Sequence, residues 1–538
     1  MSAASATAPP AAAPPITTHP VLGVLGVLLG ALIATCTGRL ISVGLADLRG
    51  ALHLGFDEAA WIGTAFNAPL MFIGPFSVYL GGLLGPRRVL LACAGAFTVI
   101  SLLLPLAPNL PCLLTLLVLG GLTAGVFYPL TLSFVLRNLP MRYVLIGIAM
   151  YAADVEFTTN VATALEAWYM DHLSWRWIFW NSALLTPIMM VLIYFGVPWQ
   201  PIPAHKEGQP RPSWRGFLYA SMGFALLYTA LDQGQRLDWF HSGTIVGLTA
   251  SGAFLLLTAV IRHWVMPNPL VNLKFLLHRN TLLLSVVLIF FRFVMLGVVV
   301  IIPSYLGSVK GYLPLQTGQV LLWVGLPQVL VGVLAIMLLR FIDARLVLTF
   351  GFILVATACL MNAHLSSAWS GANFAPSQAV MALGLAFAFN GMVGGIILEV
   401  VNSGALKRPI DVLTFAGFFQ TVRLFGGQAG AVLMQRFIAV REQFHSNILG
   451  LGVQLGDPAT YQRLLGLRAG VQSQTAGVPA ATGRAVEILG LQIRQQAFTL
   501  AITDAFMLVA WSVFCCLIVV AFMAPVPTQF RQVVQAPA

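Results

Sequence analysis

Residues 21–46 read VLGVLGVLLGALIATCTGRLISVGLA, a stretch in which Arg39 is the sole charged residue. It outlasts the roughly 20 apolar residues that carry an α-helix across a hydrocarbon core about 30 Å thick. Runs of the same kind recur at 59–82, 88–107, 111–136, 143–168, 175–197, 214–231, 243–263, 281–306, 315–339, 344–363, 374–402, 411–438 and 499–523. None alternates apolar and polar residues as a lipid-facing strand does, so the fold class is all-α integral membrane, with fourteen spans.

Composition agrees. Of 538 residues 59% are hydrophobic and 8% charged, against about 25% charged in ordinary soluble domains. The formal charge of +11 does not indicate nucleic acid, because the basic residues stand singly or in pairs between apolar runs. The first residues, MSAASATAPPAAAPPITTHP, contain no Lys or Arg ahead of the apolar stretch, which argues against a cleaved signal peptide and for a short disordered tail, 1–20. Cys36, Cys93, Cys112, Cys359, Cys515 and Cys516 lie in or at the mouth of apolar runs, as packing residues do.

The basic residues orient the chain. With the N-terminus inside, the inner connections hold Arg87, Arg88, Arg137, Arg142, Lys206, Arg211, Arg215, Arg262, Lys274, Arg279, Arg340, Arg345, Lys407 and Arg408, whereas the short outer ones hold Arg49, Arg176, Arg236 and Lys310. Positive residues mark the inner face, so both termini are expected there, in a bacterial inner membrane. One outer connection, 441–498, is long; its Leu, Gly and Gln spacing permits a helix near 484–497 and equally a flexible loop.

Several strings resemble the EmrB/QacA-type branch of the major facilitator superfamily, the fourteen-span drug:proton antiporters. They are Ser174-Trp175-Arg176-Trp177-Ile178-Phe179-Trp180-Asn181, Leu231-Asp232-Gln233-Gly234-Gln235-Arg236-Leu237-Asp238-Trp239-Phe240, Pro269-Leu270-Val271-Asn272-Leu273-Lys274-Phe275-Leu276, Gly311-Tyr312 with Thr317-Gly318, and Thr421-Val422-Arg423 with Gly426, Gly427 and Gly430. The resemblance implies a six-helix bundle at 21–197, a linker at 198–213, two additional spans at 214–263, a linker at 264–280, a second six-helix bundle at 281–523 that includes the outer loop, and an inner tail at 524–538. Substrate is then expected near the midplane between bundles that rock against one another.

The signature motifs are degraded. Where the family carries an acid in span 1, this chain reads Cys36-Thr37-Gly38-Arg39; the span-4 arginine is Leu117; and the Gly-Pro pair of span 5 is missing from Thr158-Thr159-Asn160-Val161-Ala162-Thr163-Ala164-Leu165-Glu166. Between spans 2 and 3 only Gly81-Gly82-Leu83-Leu84-Gly85-Pro86-Arg87-Arg88 is kept. The usual coupling residues therefore cannot be carried over.

Other charges lie within the spans, where each costs roughly 2.5–3.5 kcal/mol on insertion scales and so implies a partner or a purpose. Span 5 holds Asp154, Glu156 and Glu166. The first two lie about 16–20 Å deep and the third near the outer surface. Glu156, Asn160 and Thr163 share a face, with Asp154 about 160° around the axis. These acids are the proton-coupling candidates, since burial favours the neutral acid and an approaching arginine the carboxylate; alternatively they are static partners of membrane arginines. Arg292 and Arg423 lie near the midplane of the second bundle, and Arg39 at a depth where Glu166 can pair with it. A fixed arginine can hold an anion or neutralise an acid in one conformer. Phe290, Phe291 and Phe293 flank Arg292, and Phe415, Phe418, Phe419 and Phe425 flank Arg423; they line a pocket for flat apolar molecules or face lipid. Glu399, close to Lys407 and Arg408, is expected to snorkel to the interface.

The expected function is proton-driven export of small amphipathic or aromatic compounds, anionic ones among them, with a proton gradient as energy source and no cofactor. Import, uniport and a non-transporting scaffold are the alternatives. The resemblance implies partners as well: a periplasmic adaptor, for which loop 441–498 is the plausible contact, and an outer-membrane channel. No metal-ligand cluster, nucleophile elbow or phosphate loop speaks for an enzyme; His53, His172, His241, His364 and His445 sit singly in outer connections.

Overall fold

The structure is a computed structural model that describes residues 19–138, 141–199, 214–265, 278–402, 414, 417–454, 456–474 and 477–524. The tails, both linkers' centres, the string around Asn272, and Lys206, Arg211, Lys274, Lys407, Arg408 and Phe415 lie outside the described residues.

The first bundle comprises α1 (Pro20–Val43), a short α2 (Leu45–Ala51), α3 (Phe56–Leu84), α4 (Pro86–Leu103), α5 (Leu110–Ala124) with α6 (Phe127–Asn138) as one broken span, α7 (Met141–His172) and α8 (Trp177–Gly196). Then come α9 (Trp214–Gly234) and α10 (Gly243–Val265), the additional hairpin. The second bundle comprises α11 (Arg279–Lys310), α12 (Pro314–Leu339), α13 (Ala344–Asn362), α14 (Ala375–Asn402), a helix that passes through a π-turn at Val422–Gly426 into α15 (Gly427–Leu451), and α17 (Val478–Ala521), with α16 (Pro458–Val471) between the last two. These correspond to the fourteen expected spans. Among the described residues eleven segments are long and apolar enough to cross a membrane unaided; α7, α9 and the helix of Arg423 are not among them.

Local chemistry sets the ends. Proline opens α1 and α4, where its missing N–H is no loss. Asn109, Asp343 and Asp457 cap α5, α13 and α16 by accepting from the backbone N–H of Cys112, Arg345 and Thr460. Gly311 ends α11 in the left-handed region at φ 67°, open to glycine without strain. In lipid the helices associate by close packing rather than hydrophobic transfer. At Gly318 an added Cβ would meet the Cα of Ala164 at 2.6 Å, so α12 lies directly on α7 across the seam between the bundles. The outward faces are apolar, with Trp264 78% and Leu330 77% exposed, as a lipid-facing surface requires.

The connection 441–498 is not a loop. α15 continues to Leu451, α16 follows, and α17 is one helix of 44 residues whose polar first half runs unbroken into the last span. A polar helical surface and a polar coil differ little in composition, which is why spacing did not separate them. Here His445 is not single: its Nε2 lies 2.6 Å from Asp504 Oδ2, which also accepts from Arg441 Nε at 2.7 Å, joining α15 to α17.

Glu399 does not snorkel. It is 6% exposed, lies 3.2 Å from His278 Nδ1, and accepts from Asn280 Nδ2 at 3.3 Å. A short carboxylate near the membrane surface is satisfied more cheaply by a neighbouring helix start than by reaching to water.

Candidate functional site

The seam between α7 and α12 carries the first half of the site. Glu156 is 2% exposed; its Oε2 accepts from Gln328 Nε2 at 2.9 Å, across the bundles, while Oε1 has no partner. Asn160, one turn on, donates through Nδ2 to the Glu156 carbonyl at 2.8 Å and to Gln328 Oε1 at 3.3 Å. The shared face read from the sequence thus meets α12. Gly325 makes room, since a Cβ there would stand 3.0 Å from that of Asn160.

Asp154 points elsewhere, as the 200° turn between it and Glu156 requires. It is 9% exposed, both carboxylate oxygens are buried without a partner, and it lies within electrostatic range of Arg423. Arg423 is the second half of the site. It sits in the π-turn, a distortion that often marks functional positions. Its guanidinium crosses into the first bundle, donating through Nη1 to Thr35 Oγ1 at 3.2 Å and lying 3.4 Å from the centroid of the Tyr128 ring. Tyr128 packs on Tyr151, 4.5 Å between centroids, and Tyr151 on Phe419 at 6.3 Å. Arg292 donates to the Arg423 carbonyl at 3.2 Å and touches Met295 Sδ at 3.6 Å. No carboxylate forms a salt bridge with Arg292 or Arg423 among the described residues.

Asp154, Glu156, Asn160, Arg292, Arg423 and Phe419 therefore belong to one central region that spans both bundles. Phe291 does not: it is buried inside the second bundle, stacked on Phe389 at 5.4 Å. Glu166 and Arg39 are not paired. Gly44 and the Asp47 side chain face the Glu166 carboxylate. Arg39 lies five residues before Gly44, about 140° around the α1 axis, and turns towards Tyr228 on α9.

Two groups escape a reading based on charge in apolar runs. Gln328 and Gln420 are neutral and each is 1% exposed; Gln420 keeps both amide atoms without a partner beside Gly74. An isolated glutamine in a span was the available signal. The other is Asp232, which lies one residue beyond the apolar run of span 7. It accepts from Thr64 of α3 and, at 2.7 Å, from Gln428 of α15, so α9 is tied to both bundles at the end remote from the termini.

Two helical bundles meeting at a polar seam, with buried charges shared across it, is the architecture of one group of carriers, and the family model described as Major Facilitator Superfamily matches residues 27–431. The chain belongs to that superfamily. This superfamily member is 24% identical over 522 residues to multidrug export protein EmrB of Haemophilus influenzae, covering 94% of this chain and 96% of that one. It is 25% identical over 422 residues to the probable multidrug resistance protein EmrY of Escherichia coli, covering 78% and 80%. A third relative, fatty acid resistance protein FarB of Neisseria gonorrhoeae, is 25% identical over 324 residues, with 59% and 62% covered. The EmrB-type resemblance is thus upheld. Among solved structures, the proton:xylose symporter XylE aligns at TM-score 0.53 and 12% identity, over 95% of this chain and 98% of that one. The human organic anion transporter MFSD10 aligns at 0.53 and 13%, over 93% and 100%. At such identities these two establish the fold alone. As a superfamily member the protein is a multi-pass membrane transporter rather than an enzyme, and its ligand is a small molecule.

Proposed function

We propose that this transporter is a proton-driven exporter of small amphipathic compounds, anionic ones among them, from the cytoplasmic to the outer face of a bacterial inner membrane. The observation that carries it is the pair Asp154 and Glu156: two carboxylates in mid-span, on the helix that lines the seam, with three of their four oxygens unpartnered. A static structural acid in lipid needs its oxygens satisfied, whereas an acid that exchanges a proton needs a vacant one. Arg423 and Arg292, without carboxylate partners among the described residues, supply positive charge for an anion at the same level, and Tyr128, Tyr151 and Phe419 supply aromatic faces.

Export is favoured by the named relatives, two of them drug-resistance or export proteins and one a fatty-acid resistance protein. The Lys and Arg distribution supports inner termini. The helical extension of α15, α16 and α17 is then on the outer face, and we read it as the docking surface for a periplasmic adaptor that passes substrate to an outer-membrane channel. The test is transport in proteoliposomes under an imposed pH gradient. Glu156→Gln is expected to abolish the gradient's effect, and unchanged gradient-driven flux in that variant sinks the coupling role.

A further inference from the structure

A cavity of about 930 Å³ lies away from the seam, between the additional hairpin and the second bundle. This is at the upper end of the 300–1,000 Å³ in which proteins hold drug-sized ligands. Its walls follow from helical periodicity. Phe217, Ala220, Ser221 and Phe224 form one face of α9, and Leu256, Ala259, Val260 and His263 one face of α10, both spaced i, i+3, i+4, i+7. α9 lies along the Arg423 helix, Phe224 against Phe425 at 5.7 Å, whereas α10 packs on α9 through Gly223 and Gly252 and stands off from α11. The cleft is the space left by that stand-off, open sideways to lipid.

An empty apolar groove facing lipid is ordinarily filled by acyl chains of no particular identity. Three features set this one apart. Thr421 and Ser512 turn their hydroxyls onto their own helices, donating to Gly417 and Leu508, but Ser221, only 2% exposed and lining the cleft, leaves its hydroxyl without a partner. Arg262, at the end nearer the chain termini, has a buried Nε without a partner and no acid within salt-bridge distance among the described residues. At Arg262 a donor left unpaired in lipid costs free energy that a ligand's polar head recovers. The third feature is continuity: Val422, Phe425 and Gly426 form the cleft floor, and these belong to the π-turn that carries Arg423, while Gly426 stands beside Arg292.

We propose that this cleft is a binding site for a single-chain amphipathic anion of the fatty-acid class, entering sideways from the inner leaflet, its carboxylate at Arg262 and its chain along the phenylalanines. The floor it rests on is the segment through which it reaches the central arginines. The direction of passage rests on the exporter reading above; the site itself does not.

The probe is a palmitate analogue carrying a diazirine on its chain, applied to the full-length protein in phosphatidylcholine vesicles, with adducts mapped by mass spectrometry. Adducts concentrated on 217–224 and 256–263 and suppressed by excess palmitate are expected. Arg262→Gln, at the rim, should lower their yield about tenfold, and Ser221→Phe, which fills the cleft, should do the same. Adducts spread evenly over the lipid-facing surface, or unchanged in both variants, overturn the site. So does a diazirine-bearing phosphatidylglycerol that labels the cleft and resists displacement by palmitate, for the cleft is then the seat of a structural lipid. Glu156→Gln separates the two readings. Cleft labelling with gradient-driven flux lost is the expected result; labelling with flux unchanged removes the coupling role and leaves the site; flux without labelling removes the site alone.

Discussion

The Arg423 guanidinium lies 3.4 Å from the centre of the Tyr128 ring, so a cation belonging to the second bundle is seated on an aromatic face of the first. Desolvated contacts of this kind are worth about 2 kcal/mol, and the contact exists only while the two bundles are closed at that level. Tyr128→Phe keeps the ring face and should behave as wild type. Tyr128→Leu should shift the balance between conformers by roughly tenfold or more, read as a changed distance distribution between spin labels placed one in each bundle.

Gln328 tests the other side of the seam. Gln328→Met keeps the volume and removes the donor to Glu156, leaving the carboxylate with no partner at either oxygen. A loss of about 1–3 kcal/mol is expected, visible as a lowered midpoint of thermal unfolding in detergent. Gln328→Glu places a second acid against the first and should be worse than Gln328→Met; the reverse order contradicts the assigned hydrogen bond.

Close approach of α7 and α12 predicts that Gly318→Leu is disruptive. Its Cβ would meet backbone atoms of Ala164, which cannot move as a side-chain tip can. A penalty of about 1–3 kcal/mol or loss of the folded protein follows from overpacking. Gly247→Ala on α10, where nothing lies within 4 Å, is the control and should be neutral or slightly stabilising.

Fourteen spans are legible in the sequence because a bilayer imposes a length rule on every helix separately. Partners are not legible, because the contacts that matter join residues far apart in the chain. Asp154 and Glu156 stand out as costly residues, yet nothing local indicates that one meets Gln328 and the other looks towards Arg423. Arg39 illustrates the limit: its depth matches that of Glu166, but depth fixes only one coordinate, and rotation about α1 sends it to Tyr228 instead. Asp232 is hidden by a hydropathy boundary that ends at Leu231, although the helix runs on to Gly234.

Asp232 predicts a dissectable clamp. Asp232→Ala removes the acceptor for both Thr64 and Gln428, so the remote end of α9 should part from α15. Cysteine pairs bridging α9 and α15 should then crosslink several-fold less efficiently, while Asp232→Asn, which retains one acceptor, should fall between.

Outside the membrane, Asp457 caps α16. The backbone N–H and hydroxyl of Thr460 hold its carboxyl below the ordinary carboxylate range. A depressed value means that the cap is complete above the unfolded pKa, about 4, and is lost as pH falls through the folded one. Protection of the amides in the first turn of α16, taken as exchange relative to the intrinsic rate at each pH, should therefore fall in acid, and in Asp457→Ala should be low and unchanged across that window.

The 44-residue α17 is about 66 Å long, of which about 21 residues, or 31 Å, precede its apolar portion. Rooted in the second bundle and free of any break, it acts as a lever arm. A tilt of about 10° of that bundle sweeps the tip sideways by about 5 Å at that length. In the transport cycle proposed above, the change of state would thereby be written as a displacement of that tip, where the proposed adaptor would register which way the carrier stands.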